Sequence, residues 1–272
     1  MLLFSKTPII ALIKLSGIIS PEGRLGSKSN LNLNDLSDSL TKAFNFKNVK
    51  AVALLINSPG GSPVQSSLIS NRIRELSLEK EIPVYCFIED VAASGGYWLS
   101  CSADKIYAME SSIVGSIGVI SSGFGAVEAI KKLGLERRVY TEGKNKGMLD
   151  PFLPERKDDV DQIKEIQKDL HEQFINWIKK RRGKRIKVSD DTVFNAGIWS
   201  GRKALELGLV DNIGDYYSVM KKNFGKEVKF KDFSKKQSWF KQKLFSNSRS
   251  EDMIDNLFNR IYEKLIWSRY DL

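Results

Sequence analysis

Apolar positions along the first two-thirds of this chain fall into two patterns that alternate. Short, nearly continuous apolar runs occupy residues 8–15, 49–56 and 83–88, with shorter ones at 106–109 and 117–120, and another strand is expected at 137–141. Between them, apolar residues recur at helical spacing: Leu36, Leu40 and Phe44 behind a cap at Asn34 or Asp35, then Leu68, Ile69, Ile73 and Leu76, then residues 126–133. Strands buried on both faces read as unbroken apolar runs, and helices between them cover the faces of a parallel sheet. The pattern therefore predicts an α/β fold of parallel βαβ units.

From residue 155 to 182 the spacing is helical throughout, with Val160, Ile163, Ile166, Leu170, Phe174 and Ile178 on one stripe. A helix this long serves equally as an arm for subunit contact or as a helix packed on its own domain. Short helices are expected at 189–194, 200–207 and 215–223, and an edge strand at 226–233. The polar stretch 234–249 reads as a linker. Residues 250–272 read as an amphipathic tail helix striped by Met253, Ile254, Leu257, Ile261, Leu265 and Ile266. The expected organisation is one domain over residues 1–233, then linker and tail helix.

Composition narrows the classes. In 272 residues, 42% are hydrophobic, which excludes a disordered chain, and two cysteines exclude a disulfide scaffold. Cys86 and Cys101 lie in apolar runs and read as buried, reduced thiols. The N-terminal apolar stretch is broken by Lys6, Lys14 and Ser16, and its longest clean run is residues 8–13. That is short of the ~20 residues of a bilayer span or the roughly 7–15 of a signal-peptide core. The expectation is a cytoplasmic chain with no transmembrane span or signal peptide.

The net charge of +10 is uneven, since residues 179–243 hold 18 Lys/Arg against 7 Asp/Glu. A patch of this kind can touch an anionic membrane surface, and a solvated lysine-rich face explains it as well. No zinc-ligand spacing, phosphate loop or RNA-binding aromatic signature accompanies it, so no nucleic acid, metal or cofactor is expected.

Two turns carry candidate chemistry. In Ala92-Ala93-Ser94-Gly95-Gly96-Tyr97 a serine stands between minimal residues where a strand passes into a helix, the setting of a nucleophile elbow. Asn57-Ser58-Pro59-Gly60-Gly61 ends the preceding strand. The carboxyl ends of neighbouring parallel strands share one edge, so the two turns can converge. The bare amides of Gly60 and Gly61 can then face an oxyanion, each such donor being worth roughly 2.7–4 kcal/mol. A nucleophilic serine needs a base. The lone histidine, His171, sits in the long helix beside Glu172 and suits a surface position better. Lysine is the alternative, at Lys144 or Lys146; a free lysine is uncharged only about 0.04% of the time at pH 7, and burial raises that fraction. Ser116, in Val114-Gly115-Ser116-Ile117-Gly118, is a candidate to orient such a lysine. Spacing alone does not choose between the two lysines.

The order NSPGG, ASGGYW, VGSIGV and then a Gly-x-x-Lys segment resembles the serine peptidases of the signal peptide peptidase SppA and SohB type, over about residues 8–232. The segment TEGKNKGMLDPF is most similar to the shorter, single-domain bacterial members. The resemblance implies a crotonase/ClpP-like fold and a Ser-Lys dyad. Carried across, it makes Ser94 the nucleophile and Lys146, three places after Gly143, the base. It makes Ser116 the residue that hydrogen-bonds the lysine, and Gly61 with the Ser94 N–H the oxyanion hole, supported by Asn57, Gly60 and Gly95. Gly147 stands where family members often carry an acidic or polar residue. The implied function is a serine endopeptidase acting on peptides, whether signal-peptide remnants or unfolded segments, in a homo-oligomer, with peripheral membrane contact through the basic C-terminal third. The rivals are a crotonase-type acyl-CoA enzyme and a non-catalytic assembly scaffold of the same fold.

Overall fold

The computed structural model describes residues 7–21, 30–234 and 267–270. In chain order the elements are β1 (Ile9–Ser16), β2 (Ile18–Ile19), β3 (Asn30–Leu31), α1 (Leu33–Asn45), β4 (Val49–Ser58), α2 (Pro63–Lys80), β5 (Val84–Ala93), α3 (Gly95–Ser100), β6 (Lys105–Ala108) and β7 (Ile113–Gly115). There follow α4 (Val127–Lys132), α5 (Lys157–Arg182), α6 (Asp190–Val193), β8 (Ile198–Ser200), α7 (Gly201–Leu207), β9 (Asn212–Ile213), α8 (Tyr216–Phe224) and β10 (Lys229–Asp232).

The main sheet runs β10-β1-β4-β5-β6-β9, all parallel, and β7 pairs with the far end of β5. β8 returns antiparallel on β7. This is the expected α/β fold. β1 and β4 are almost wholly buried because the sheet is covered on both faces. One face carries α1 and α2, whose Leu36, Leu40, Phe44, Ile69, Ile73 and Leu76 are buried. On the other face Ile10, Leu12, Leu55 and Phe87 pack with Met220 and Val228 from and beyond α8.

Several expectations shift. Asn32, not Asn34 or Asp35, caps α1, because its extended backbone lets the side chain accept from the Asp35 N–H at 2.9 Å. Leu68 faces solvent. The strand expected at 117–120 lies instead at β7, since a positive φ of 53° at Ser116 ends the extended run. Residues 137–141 join no ladder among the described residues. The stripe of α5 is buried at Phe174 and Ile178, while Ile166 stays exposed. The linker and tail helix lie outside the described residues, apart from Ser234 and residues 267–270.

The chain divides into two compact units, one of residues 1–117 with 176–272 and one of residues 118–175. The expected single domain over 1–233 is thus divided within its span. The first unit holds the sheet. The second is built around a buried carboxylate: Asp159 accepts from Arg156 at 2.5 and 3.0 Å and from the Leu149 N–H at 3.2 Å, which holds it below the usual carboxylate range. No helix among the described residues is long and apolar enough to cross a membrane.

Candidate active site

Ser94 sits where β5 gives way to α3, with φ 52° and ψ −121°. For a residue with a Cβ this is a strained backbone, the kind retained where a side chain must be presented at a sharp strand-to-helix turn. The flanking glycines are there for space. A Cβ on Gly95 would come within 2.5 Å of Ser66 Oγ, and one on Gly96 would overlap the Ser58 carbonyl. The short helix can therefore lie directly on the end of β4 and on α2 only because both positions are bare.

The Asn57–Gly61 stretch meets this turn as the shared strand edge requires. A Cβ on Gly60 would lie 2.8 Å from Ala93 O, Gly95 N and Ser94 Cβ, so the two backbones are in contact there. Ile19 N–H donates to Gly60 O at 2.8 Å, and Ser62 N–H returns to Ile19 O at 2.7 Å, which fixes the loop from the other side. Asn57 ties β4 to β5: its Nδ2 donates to Asp90 Oδ2 at 2.6 Å and its Oδ1 accepts from Val91 N–H at 3.3 Å.

The oxyanion donors need one correction. The Ser94 N–H donates to Gly115 O at 2.8 Å, so the pairing of β5 with β7 has already used it. The next residue, Gly95, lies close to Gly61: the position of a Gly95 Cβ is 3.3 Å from Gly61 N. The first N–H groups of a helix have no intrahelical acceptor, which leaves Gly95 available to a ligand.

Ser116 is brought to the same edge. Ala93 and Gly115 are register partners across β5 and β7, so Ser94 and Ser116 are the next positions on adjacent parallel strands. Ser116 also has positive φ, and its N–H donates to Gly197 O at 2.7 Å. Lys146 belongs to the second unit, in a turn over residues 143–148 closed by its own N–H on Gly143 O at 3.1 Å. It is exposed and has no ion-pair partner among the described residues, whereas Lys144 pairs with Asp158 at 3.4 Å. His171 is half-buried on α5. Cys86 and Cys101 are buried free thiols; burial pushes Cys86 far up and Cys101 up to about 11, which makes both poor nucleophiles at neutral pH.

Charge reasoning missed the residues that brace α3 and the segment after α7. Arg181 donates to Cys101 O at 2.9 Å and Ala103 O at 3.0 Å just past the end of that helix. Arg182, 3% exposed, donates to Gly208 O at 2.6 Å and Asp211 at 2.8 Å. Trp177 Nε1 donates to Trp98 O at 3.1 Å, and Tyr97 OH to Leu209 O at 2.8 Å. Cations at a helix C-terminus satisfy its orphan carbonyls and oppose its dipole. With Arg185 on Asp104 O and Asp211, and Lys179 on Asp190, four of the six cations in residues 179–185 are engaged inside the protein. A run of like charge resembles a surface patch in sequence, and nothing in its spacing marks three of its arginines as bracing.

The family described as peptidase family S49 matches residues 77–229. A Brucella abortus protein named Na(+)/H(+) antiporter NhaA is 42% identical over 97% of this chain, which spans 37% of that protein. Protease 4 of Haemophilus influenzae is 32% identical over 85% of this chain, again with 37% of its own length covered. The chain thus spans well under half of these two curated relatives. Among solved structures, a mutant of the 1510-N membrane-bound stomatin-specific protease aligns with a TM-score of 0.52 at 14% identity, covering 84% of this chain and 98% of that one. At that identity the likeness concerns the fold.

Proposed function

The chain belongs to peptidase family S49, and from that premise we propose that it is a serine endopeptidase using Ser94 as nucleophile and Lys146 as general base. The observation that carries the proposal is the strained Ser94 turn, with the backbone of Gly60 and Gly61 packed against that of Gly95.

In this mechanism the Lys146 amine accepts the Ser94 hydroxyl proton as Oγ attacks the scissile carbonyl. The oxyanion that forms is held by the Gly61 and Gly95 N–H groups, the second replacing the Ser94 N–H. Lys146 then protonates the leaving amine, and water deprotonated by the same residue releases the acyl-enzyme. Ser116 orients the lysine, while Asn57 and Gly60 hold the oxyanion loop against β5. Because the base and nucleophile lie on different units, the chemistry requires the Lys146 amine to come within hydrogen-bond reach of Ser94 Oγ in the working enzyme.

The substrates on this reading are peptides, either signal-peptide remnants or unfolded segments. The working form is a homo-oligomer. Its support is the second unit, where Phe124 is 93% exposed, Tyr140 91%, Leu133 72% and Ile120 71%, a density of bare apolar side chains that marks an association surface. The reduced, buried cysteines suit a cytoplasmic setting. Peripheral membrane contact would fall to cations such as Lys180 and Lys184, since their neighbours are engaged internally.

Cleavage-site profiling of a cell proteome tests the proposal. Wild-type protein yields new peptide termini that are absent with Ser94→Ala and with Lys146→Ala, both folded. Termini produced equally by Ser94→Ala would refute it.

A further inference from the structure

A cavity of about 370 Å³ opens at the carboxyl edge of the sheet, on the face that carries α8. Its apolar walls include Leu55, Phe87, Met109 and Tyr216, and its lining includes the consecutive acids Glu89 and Asp90 from the bend of β5. The two acids are not equivalent. Asp90 accepts the Asn57 amide at 2.6 Å, whereas the Glu89 carboxylate has no hydrogen-bond partner among the described residues. Burial and then the neighbouring Asp90 push Glu89 above the usual carboxylate range, with only the Lys14 charge opposing them. Lys14 itself pairs with Asp232 at 3.3 Å. Asp215, also in the lining, is turned to the N–H of Ser218 at the start of α8. The cavity therefore joins an apolar interior to a carboxylate with no hydrogen bond or ion pair among the described residues.

We propose that this cavity is a substrate subsite for a lysine or arginine side chain, its aliphatic stem on Leu55, Phe87 and Met109 and its cation on Glu89. A long cationic side chain is the natural occupant, because it buries methylenes while its charged end stays at the rim. The position relative to the reacting centre fits. Glu89 and Asp90 bulge from β5 between Ile88 and Ala92, which face Ile56 and Ser58 of β4, so Ile88 to Ser94 spans only about four strand steps, about 13 Å, and an extended peptide covers that with a similar number of residues. The inference rests on the peptidase reading, because it names the substrate class of that site.

The test is designed to separate the two. In the inactive Ser94→Ala protein, labelled hexapeptides carrying one lysine or one norleucine at each position in turn are titrated by fluorescence anisotropy. At one position lysine is expected to bind about tenfold more tightly than norleucine, the scale of a charge-assisted hydrogen bond. Adding Glu89→Gln abolishes the preference, and Glu89→Lys turns it toward a glutamate peptide. Equal affinities for lysine and norleucine, or a lysine preference that survives Glu89→Gln, overturn the subsite. Cleavage of uncharged peptides by wild type with no lysine preference leaves the peptidase standing without the subsite. Lysine binding that depends on Glu89, in a protein that cleaves nothing, keeps the subsite and removes the peptidase reading.

Discussion

The glycines of the two units describe two different environments. Around Ser94, Gly60, Gly61, Gly95 and Gly96 each leave a Cβ position already occupied by backbone or side-chain atoms. In the second unit, Gly123, Gly125, Gly134, Gly143 and Gly147 have nothing within 4 Å of that position. The nucleophile turn is thus specified to a fraction of an ångström by its own chain. The lysine-bearing unit carries its apolar side chains bare and places its candidate base on an exposed turn. On the proposed mechanism, one half of the dyad is preorganised by packing within the subunit, and the other is completed in the assembled enzyme.

Removing the buried Arg182 guanidinium should have the largest effect on stability. Arg182→Ala removes a buried guanidinium from Asp211 and from the Gly208 carbonyl, leaving Asp211 only Arg185 and the Ile106 N–H, which costs roughly 3 kcal/mol, read as a fall in the urea midpoint. The same pair sets an acid limit. Burial pushes Asp211 up, but Arg182, the Ile106 N–H and Arg185 together outweigh it and hold the carboxyl below its usual range. Its contribution is complete above the unfolded value of about 4 and is lost as pH falls through the lower folded value. Stability between pH 5 and 3 should therefore decline less steeply in Arg182→Ala than in wild type.

The glycine contrast can be tested directly by paired substitution. Gly96→Ala forces a methyl onto the Ser58 carbonyl and should cost about 3 kcal/mol, whereas Gly147→Ala should stay within about 0.5 kcal/mol. Equal costs would remove the distinction between the two environments. A smaller effect is expected on catalysis from Ser116→Ala, about tenfold in kcat with KM little changed, if the hydroxyl only orients the lysine. The smallest effect is on strain. Ser94→Gly relieves the positive φ and should raise stability by about 1 kcal/mol while eliminating activity. A neutral or destabilising result would mean that the turn stores no strain.

Most of the sheet was legible because β1, β4 and β5 are buried on both faces, and that demand writes itself as unbroken apolar sequence. β7 was not, being three residues long and stabilised by β8, which arrives from more than 80 positions later. Residues 137–141 were misread because two β-prone residues, Val139 and Tyr140, say nothing about whether a partner strand exists. At the site, Ser94 and the Gly60–Gly61 pair were legible from residue size alone. Lys146 was chosen over Lys144 only through resemblance, since exposed lysines look alike in sequence. The use of the Ser94 N–H by β7 depends on a strand pairing that the sequence pattern did not reveal, so the proposed oxyanion donor moves by one residue. Arg181 and Arg182 were hidden by the assumption that charge runs are solvated.

The central claim is that Ser94 is a nucleophile activated by Lys146, and its most direct test is the rate at which a fluorophosphonate probe modifies the folded protein, with the modified residue located by mass spectrometry. The account predicts modification at Ser94 in wild type and a rate at least about a hundredfold lower in Lys146→Met, within the range attributed to general-base assistance. Modification elsewhere, or an undiminished rate at Ser94 in Lys146→Met, would contradict it.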